Sequence, residues 1–387
     1  MNLMKSKWGK EPIGNLCNKV TNIPKNEMNG EFTYIEIGAI NSTNNKIETY
    51  ERVNWNVASP NARQVIFKND ILCSTVRVNL KKIAMVDKQV EDGIATVGFC
   101  VIRSDIKKAE PRYLFQVCLS DYFTNKLLLL SSGTTYPIVK NKDVLSIEIP
   151  LPPLEEQKQI AALFQSIETA IEQVDGQEKN LKALQKYLVN GLLSKEPEFG
   201  NILNSKNCTA TTFGEIAECD KKYPEHEKEV ERFVGLEWIE ADNFQLQGFG
   251  LIANGTTFSK RFVKDDVLFG KRRAYLKKVA VADFDGICSG DILVIRAKAK
   301  KMLQGLLPYY ISADAFIQHA VSTSAGSLSP RTKWKDLADL EVSIPDLKKQ
   351  STILEVLQQL DNTVNQLKQQ KTTLKNLKQK LLKEILG

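Results

Sequence analysis

Two short segments hold the side chains best suited to binding an anion. Thr75, Arg77, Lys81 and Lys82 follow one apolar run, and Lys271, Arg272, Arg273, Tyr275, Lys277 and Lys278 follow another. A guanidinium presents paired N–H donors that fit the O6 and N7 edge of guanine, and an ammonium neutralises a phosphate, so this composition suits a loop facing DNA. A merely solvated loop would share the charge, but L-K-K stands at matching places in both segments. A second pair of loops, Gly133 to Pro137 and Gly326 to Arg331, offers Thr134, Thr135 and Tyr136 in the first and Ser327, Ser329 and Arg331 in the second. Their hydroxyls and backbone amides suit a phosphate. An ordinary Gly/Pro turn that redirects the chain explains them equally well.

No catalytic, metal or cofactor site is expected. Gly250 to Thr257 has glycines spaced as in a phosphate-binding loop but lacks the lysine that meets the phosphates. His226 and His319 have no metal-spaced partner, and the seven cysteines (Cys17, Cys73, Cys100, Cys118, Cys208, Cys219, Cys288) include no C-x-x-C pair. They read as structural. No Asn-Pro-Pro or Asp-Pro-Pro tetrapeptide of an amino-methyltransferase occurs, and Pro345-Asp346 is followed by no acid-x-lysine of a nuclease. The chain reads as a non-catalytic one.

The net charge of +7 is unevenly spread. Residues 215 to 242 carry ten acids against four bases, whereas residues 260 to 278 carry eight bases against two acids, which concentrates a basic face where a phosphate backbone would need one. No apolar run reaches the about 18 residues that would cross a bilayer, so no membrane role is expected. Met1 to Lys10 lacks the apolar core of a signal peptide, and the cytoplasm is the expected compartment.

The elements that must position these loops come in duplicate. Leu154 to Ser194 aligns without a gap on Leu347 to Gly387, with identities that include Gln157/Gln350, Ile160/Ile353, Gln165/Gln358, Leu181/Leu374 and Leu188/Leu381. Further upstream, Asp70 to Ala84 pairs with Asp266 to Ala280 through the pattern D-x-L-x5-L-K-K-x-A. The offset drifts by a few residues along the chain, as loop gains and losses between two copies of one domain would produce. Two strand-rich domains, residues 1–150 and 196–345, therefore alternate with two long helical segments, 151–195 and 346–387.

Those segments carry an amphipathic stripe. Ile160, Phe164, Ile167, Ile171, Val174, Leu181 and Leu188 in the first, and Ile353, Leu357, Leu360, Val364, Leu367, Leu374 and Leu381 in the second, recur at helical spacing, with Leu184 and Leu377 on the same line. Forty-one helical residues would span roughly 60 Å. The two stripes are expected to pack on each other as an antiparallel coiled coil, the alternative being that each helix covers its own domain. Gly176 and Gln369 dilute the seam at mid-helix. The domains read as mixed α+β, with strands over Tyr34–Ile40, Val65–Val76, Ile94–Arg103 and Leu114–Leu119, and over Phe233–Ile239, Val267–Arg273 and Ile287–Arg296.

Leu151-Pro152-Pro153-Leu154-Glu155-Glu156-Gln157 ahead of a long helix, the duplicated D-x-L-x5-L-K-K-x-A element and G-T-T-Y-P before the first helix closely resemble the specificity subunits of type I restriction-modification systems. The resemblance covers almost the whole chain. It implies two target-recognition domains, each reading half of a split double-stranded DNA site, and two helices that also dock two methyltransferase subunits, with restriction subunits joining the complex. The second helix start, Ile344-Pro345-Asp346-Leu347-Lys348-Lys349-Gln350, departs from the double proline and paired glutamates of the first. The other readings are a nuclease or methyltransferase carrying its own specificity region, and a coiled-coil scaffold without a DNA role.

Overall fold

Val267-Leu268-Phe269-Gly270 is an apolar run with no polar relief, as a strand covered on both faces requires, and all four residues are buried at the centre of a sheet. The computed structural model describes residues 8–24, 27–88, 90–133, 135–219 and 230–386. It divides into two units, Met1–Asp175 with Gln369–Gly387, and Gly176–Lys368.

In unit 1, Phe99–Ser104 lies antiparallel between Cys17–Asn18 and Ile71–Ser74, and Ile83–Met85 pairs with the far side of Ile71–Ser74. A mixed sheet runs in the order Glu51–Asn54, Glu31–Ile35, Gly93–Thr96, Ala62–Val65, with Gly93–Thr96 parallel to Glu31–Ile35. Gly9–Pro12 pairs with Glu148–Leu151 just ahead of the long helix. Helices α1 (Pro111–Leu119), α2 (Asp121–Leu130) and α3 (Asn141–Leu145) precede the long α4 (Leu154–Leu192).

Unit 2 repeats this plan. Ile292–Ala297 lies between Ala217–Cys219 and Val267–Gly270, which Val279–Val281 flanks. The mixed sheet runs Gly250–Leu251, Arg232–Val234, Gly286–Cys288, Lys260–Phe262, and Cys208–Thr212 pairs with Glu341–Pro345. Helices α5 (Phe213–Ile216), α6 (Leu307–Ser312), α7 (Asp314–Ser322) and α8 (Trp334–Ala338) lead to the long α9 (Leu347–Leu386).

Several sequence expectations change. Leu114–Leu119 is helical, not extended: Pro111 at the first helical position and Glu110 capping the Arg112 N–H start α1. Tyr113 through Cys118 are all buried, and burial on every face erases the helical period that would have marked the segment. Val65–Val76 is two strands in different sheets, broken where Asn69 takes φ 74° and the Asp70 carboxylate accepts the Phe67 N–H at 2.8 Å.

The long helices share in both cores. Ile160, Ala161 and Phe164 of α4 lie in the main core of unit 1 together with Leu382 and Ile385 of α9. Ile353 and Leu357 of α9 lie in that of unit 2 together with Val189 and Leu192 of α4. The start of each helix thus covers its own domain, and the end of the other helix joins it. Where the helices meet they run antiparallel. In unit 1, Lys378 donates to Glu168 at 2.6 Å and Lys371 to Asp175; in unit 2, Gln185 donates to Asp361 at 2.6 Å. Ile167, Val174 and Val364 are buried, while Ile171, Leu181, Leu188, Leu360, Leu367, Leu374 and Leu381 are half-buried. Leu184 and Leu377 are exposed instead, because the seam steps through Gln185 and Lys378, one residue further on.

Candidate nucleic-acid interface

The two basic segments fold into the same strained turn. After Ile71–Ser74 the chain enters a single 3-10 turn at Val78–Leu80 flanked by Arg77 and Lys81 with φ 51° and 50°; after Val267–Gly270 it enters Ala274–Leu276 flanked by Arg273 and Lys277 with φ 54° and 51°. Four cationic residues hold the left-handed conformation that favours glycine, at about 1 kcal/mol or more each. Such a cost persists where the side chain matters more than the backbone.

The Gly/Pro loops lie directly against these turns. Val76 and Ile138 form a backbone bridge in the first domain, and Arg272 and Arg331 form its counterpart in the second. The Val78 N–H reaches the Pro137 carbonyl at 3.3 Å, and the Arg273 N–H reaches that of Pro330 at 2.8 Å. The sequence keeps each basic segment dozens of residues away from its Gly/Pro loop, and the fold makes each pair one surface. Exposed on it are Thr135 and Tyr136 in unit 1, and Arg272, Arg273, Tyr275, Ser327, Leu328 and Arg331 in unit 2; Ser329 and Lys271 are half-buried. Thr134 lies outside the described residues, as does His226.

Not every cation in the turns faces outward. Lys82 donates to the Ile40 carbonyl and Lys278 to that of Leu236 at 2.6 Å, and Thr75 is buried with its hydroxyl on the Gly98 carbonyl at 2.9 Å. These three hold the loop rather than present it. Lys81 pairs with Asp121 at 2.9 Å, and Lys277 with Asp314 at 2.5 Å. The Arg77 guanidinium sits 4.4 Å over the Tyr136 ring, within range of a cation–π contact. Arg272 and Arg331 share Asp291, at 3.1 and 2.7 Å, and the Arg331 hydrogen bond holds the Asp291 carboxyl below its ordinary range. Arg273 points its guanidinium to the Leu328 carbonyl at 3.4 Å.

Behind each turn stands an ion pair that sequence reading passed over. The aspartate opening each D-x-L element, Asp70 or Asp266, is buried and takes a two-point hydrogen bond from Arg103 (2.9 and 2.7 Å) or Arg296 (2.8 and 2.8 Å). The arginine stands on the adjacent strand and ties the strand that feeds the turn to its sheet neighbour, while each aspartate also accepts a local backbone N–H, from Phe67 or Val263. The recurrence of Asp and Arg at matching places in the two copies was the available signal. In unit 2 the tie continues: Asp314 accepts from the Asn190 amide at 2.9 Å and returns its own N–H to the Asn190 side-chain oxygen at 2.9 Å, so the turn is fastened to α4. The Lys277 hydrogen bond holds the Asp314 carboxyl below its usual value. Among the described residues no group of His, Cys, Asp and Glu is placed to hold a metal ion, and no helix is long and apolar enough to cross a membrane.

The family model described as the type I restriction modification DNA specificity domain matches residues 5–183 and again residues 206–376. The chain belongs to that family. Each of its two matches contains one copy of the turn, so the specificity subunit carries the family's domain twice. The EcoDI specificity subunit of Escherichia coli is 25% identical over 271 residues, 59% of this chain and 58% of that protein. The MjaVIII specificity subunit of Methanocaldococcus jannaschii is 24% identical over 84% of this chain and 80% of that one. Among solved structures, the HsdS subunit from Thermoanaerobacter tengcongensis is 25% identical and superposes with a TM-score of 0.52 over 99% of this chain and 97% of that chain. A chain from a structure of complex assembly and conformational transition of the type I system, 24% identical, shares the fold at a TM-score of 0.64, over 99% of this chain and 98% of that chain. The subunit is a DNA specificity component of a type I restriction-modification system, α+β in class and itself non-catalytic.

Proposed function

We propose that this specificity subunit reads a bipartite double-stranded DNA site, one half through residues 1–150 and the other through residues 196–345. The segments 151–195 and 346–387 dock two methyltransferase subunits, and restriction subunits join through them. The cytoplasm, where the DNA is, is its place of action. One observation carries this reading: the left-handed cationic turn, with its apposed Gly/Pro loop, recurs in both domains with Arg77 and Lys81 matched by Arg273 and Lys277. A turn that keeps costly backbone angles twice over is held for what its side chains contact. Base edges are the fitting target for Arg272, Arg273 and Arg77, and phosphates for Lys271, Tyr136 and the loop hydroxyls of Thr135, Ser327 and Ser329.

Mapping methylated bases genome-wide in cells carrying the intact system tests the reading. Two short defined sequences at a fixed separation, with unspecified bases between them, are the expected outcome. A single continuous motif would overturn it.

A further inference from the structure

The duplication poses a problem of partner choice, since two helices descended from one sequence have equivalent apolar stripes. Each would pair with its own copy in another molecule as readily as with its sibling, unless something on the seam distinguishes them. The stripe of α4 lapses between Val174 and Leu181, and that of α9 lapses at the matching place between Leu367 and Leu374. Glu178 fills the first gap and Lys371 the second. Both sit on the seam, the Glu178 side chain being 12% exposed and that of Lys371 25% exposed. The residues that flank the gaps on the same side are Asp175 in α4 and its duplicate Lys368 in α9.

In unit 1, Lys371 of α9 donates to Asp175 of α4. In unit 2, Gln185 meets Asp361, and one heptad back along α4 and forward along α9 this register brings position 178 level with position 368. Pairing α4 with α9 therefore sets an acid against a base on each side of the mid-point. Pairing α4 with a second α4 in the same register sets Glu178 against Asp175, and does so twice by symmetry. Pairing α9 with a second α9 sets Lys371 against Lys368, also twice. Like charges set against Glu178 and Lys371 on the half-buried seam are disfavoured, Asp175 being half-buried and Lys368 exposed at its edge, and polar seam residues are a known means of fixing the partner of a coiled coil.

We propose that Asp175 and Glu178 on α4 and Lys368 and Lys371 on α9 form a charge code by which the first long helix accepts the second and rejects another copy of itself. The two halves of the duplicated chain thereby assemble with each other and not with their like.

Two full-length variants of unchanged net charge test the code. In the crossed variant, D175K/K368E, like-with-like pairing becomes attractive and α4 with α9 becomes repulsive. In the full exchange, D175K/E178K/K368E/K371E, every pair across the seam is reversed with its complementarity kept, and the half-exposed Glu178–Lys182 pair within α4 is lost. Light scattering over a range of concentrations and thermal unfolding are measured on both and on the parent. The full exchange is expected to match the parent in mass and to melt close to it. The crossed variant is expected to melt lower or to form larger species as concentration rises, with a deficit that shrinks at high salt. Should the crossed variant not fold at all, a folded full exchange still supports the code. A crossed variant indistinguishable from the parent, or a full exchange as impaired as the crossed one, overturns it.

Discussion

Lys277 donates to Asp314 at 2.5 Å, which fastens the left-handed residue at the end of the second basic turn to the first residue of α7. Asp314 in turn exchanges two hydrogen bonds with Asn190 of α4, so the turn is held by a helix that lies outside the domain's own sheets. Asp314→Ala would release Lys277 and deprive the Asn190 amide of its acceptor. Binding of the second half-site should weaken by roughly 1–2 kcal/mol, the scale of one or two charged hydrogen bonds. In the first domain the corresponding pair, Lys81 with Asp121, is more exposed, and Lys383 stands where Asn190 stands in the other copy. Asp121→Ala should therefore cost less, within the about 0–1 kcal/mol of a surface pair. Titrating the assembled complex with duplexes altered in one half-site at a time measures both; equal losses would contradict the asymmetry.

Two carboxylates of the second domain make its stability sensitive to acid. Asp314 is held below the ordinary carboxylate range chiefly by the hydrogen bond from Lys277, and Asp291 chiefly by that from Arg331. A group whose folded pKa lies below its unfolded one stabilises the fold fully above the unfolded value, about 3.9 for aspartate, and loses that contribution as pH falls through the folded value. Acid unfolding of D291N should thus show a shallower dependence on pH below about 4 than the parent, with similar slopes near neutrality. A melting-temperature series from pH 7 to pH 3 reads it, and parallel curves throughout would exclude the contribution.

Arg77 and Arg273 separate backbone cost from side-chain use. Glycine takes φ near +50° freely, so Arg273→Gly removes the guanidinium while relieving about 1 kcal/mol of strain, offset in part by the greater entropy of an unfolded glycine. Unfolding in urea should leave stability unchanged or slightly raised. DNA affinity should fall by about 1–3 kcal/mol, and discrimination at the base that the guanidinium contacts should relax. Retained affinity with unchanged base discrimination would move the DNA-binding surface away from this turn.

The duplication, the long helices and the place of the basic turns were all legible, because repeated L-K-K and repeated helical spacing survive divergence. What the turn lysines do was not. Lys82 and Lys278 look like DNA ligands in composition, yet each amine is captured by a carbonyl 42 residues away in sequence, a contact that no local pattern announces. The Asp70–Arg103 and Asp266–Arg296 pairs were visible only as recurring letters, since their meaning depends on two strands becoming neighbours in a sheet. The gap in each apolar stripe, in contrast, was present in the sequence and became informative once the register placed Lys371 on Asp175.

Gln157 and Gln350, matched in the duplication, anchor the start of each long helix. Gln157 accepts the Glu110 N–H at 2.9 Å and donates to Pro152 at 2.9 Å, and Gln350 accepts the Leu303 N–H at 2.9 Å and donates to Pro345 at 2.9 Å and Lys301 at 2.8 Å. Both are almost fully buried, so replacing either by alanine leaves a cavity and buried backbone groups without partners. Each replacement should destabilise by about 2–4 kcal/mol, since an unsatisfied buried group costs about 1–3 kcal/mol. Chemical denaturation checks the size, and a loss under about 1 kcal/mol would mean that water takes over the bonds.

Both long helices pass from one unit to the other, α4 at Asp175/Gly176 and α9 at Lys368/Gln369, so their length is a candidate ruler for the spacer between half-sites. One heptad inserted after Gly176 and one after Gln369 would face each other under the observed register. Asp175 with Lys371 would be kept on one side, and Gln185 with Asp361 on the other. The stripe continues in phase, because seven residues complete two turns of a coiled-coil seam. The helix pair lengthens by roughly 10 Å, and at about 3.4 Å per base pair the spacer should grow by up to about three pairs. Three pairs also rotate one half-site by roughly 100° about the DNA axis, given about 10 to 10.5 pairs per turn. Bending and twisting of the duplex must absorb that rotation, so affinity should drop and the increment should fall short of three where the cost is high. The half-site sequences should stay the same, since both cationic turns are untouched. Mapping the methylated motif made by the complex with the lengthened subunit separates the outcomes: intact half-sites at a wider spacing support the ruler, and changed half-site bases with the original spacing refute it.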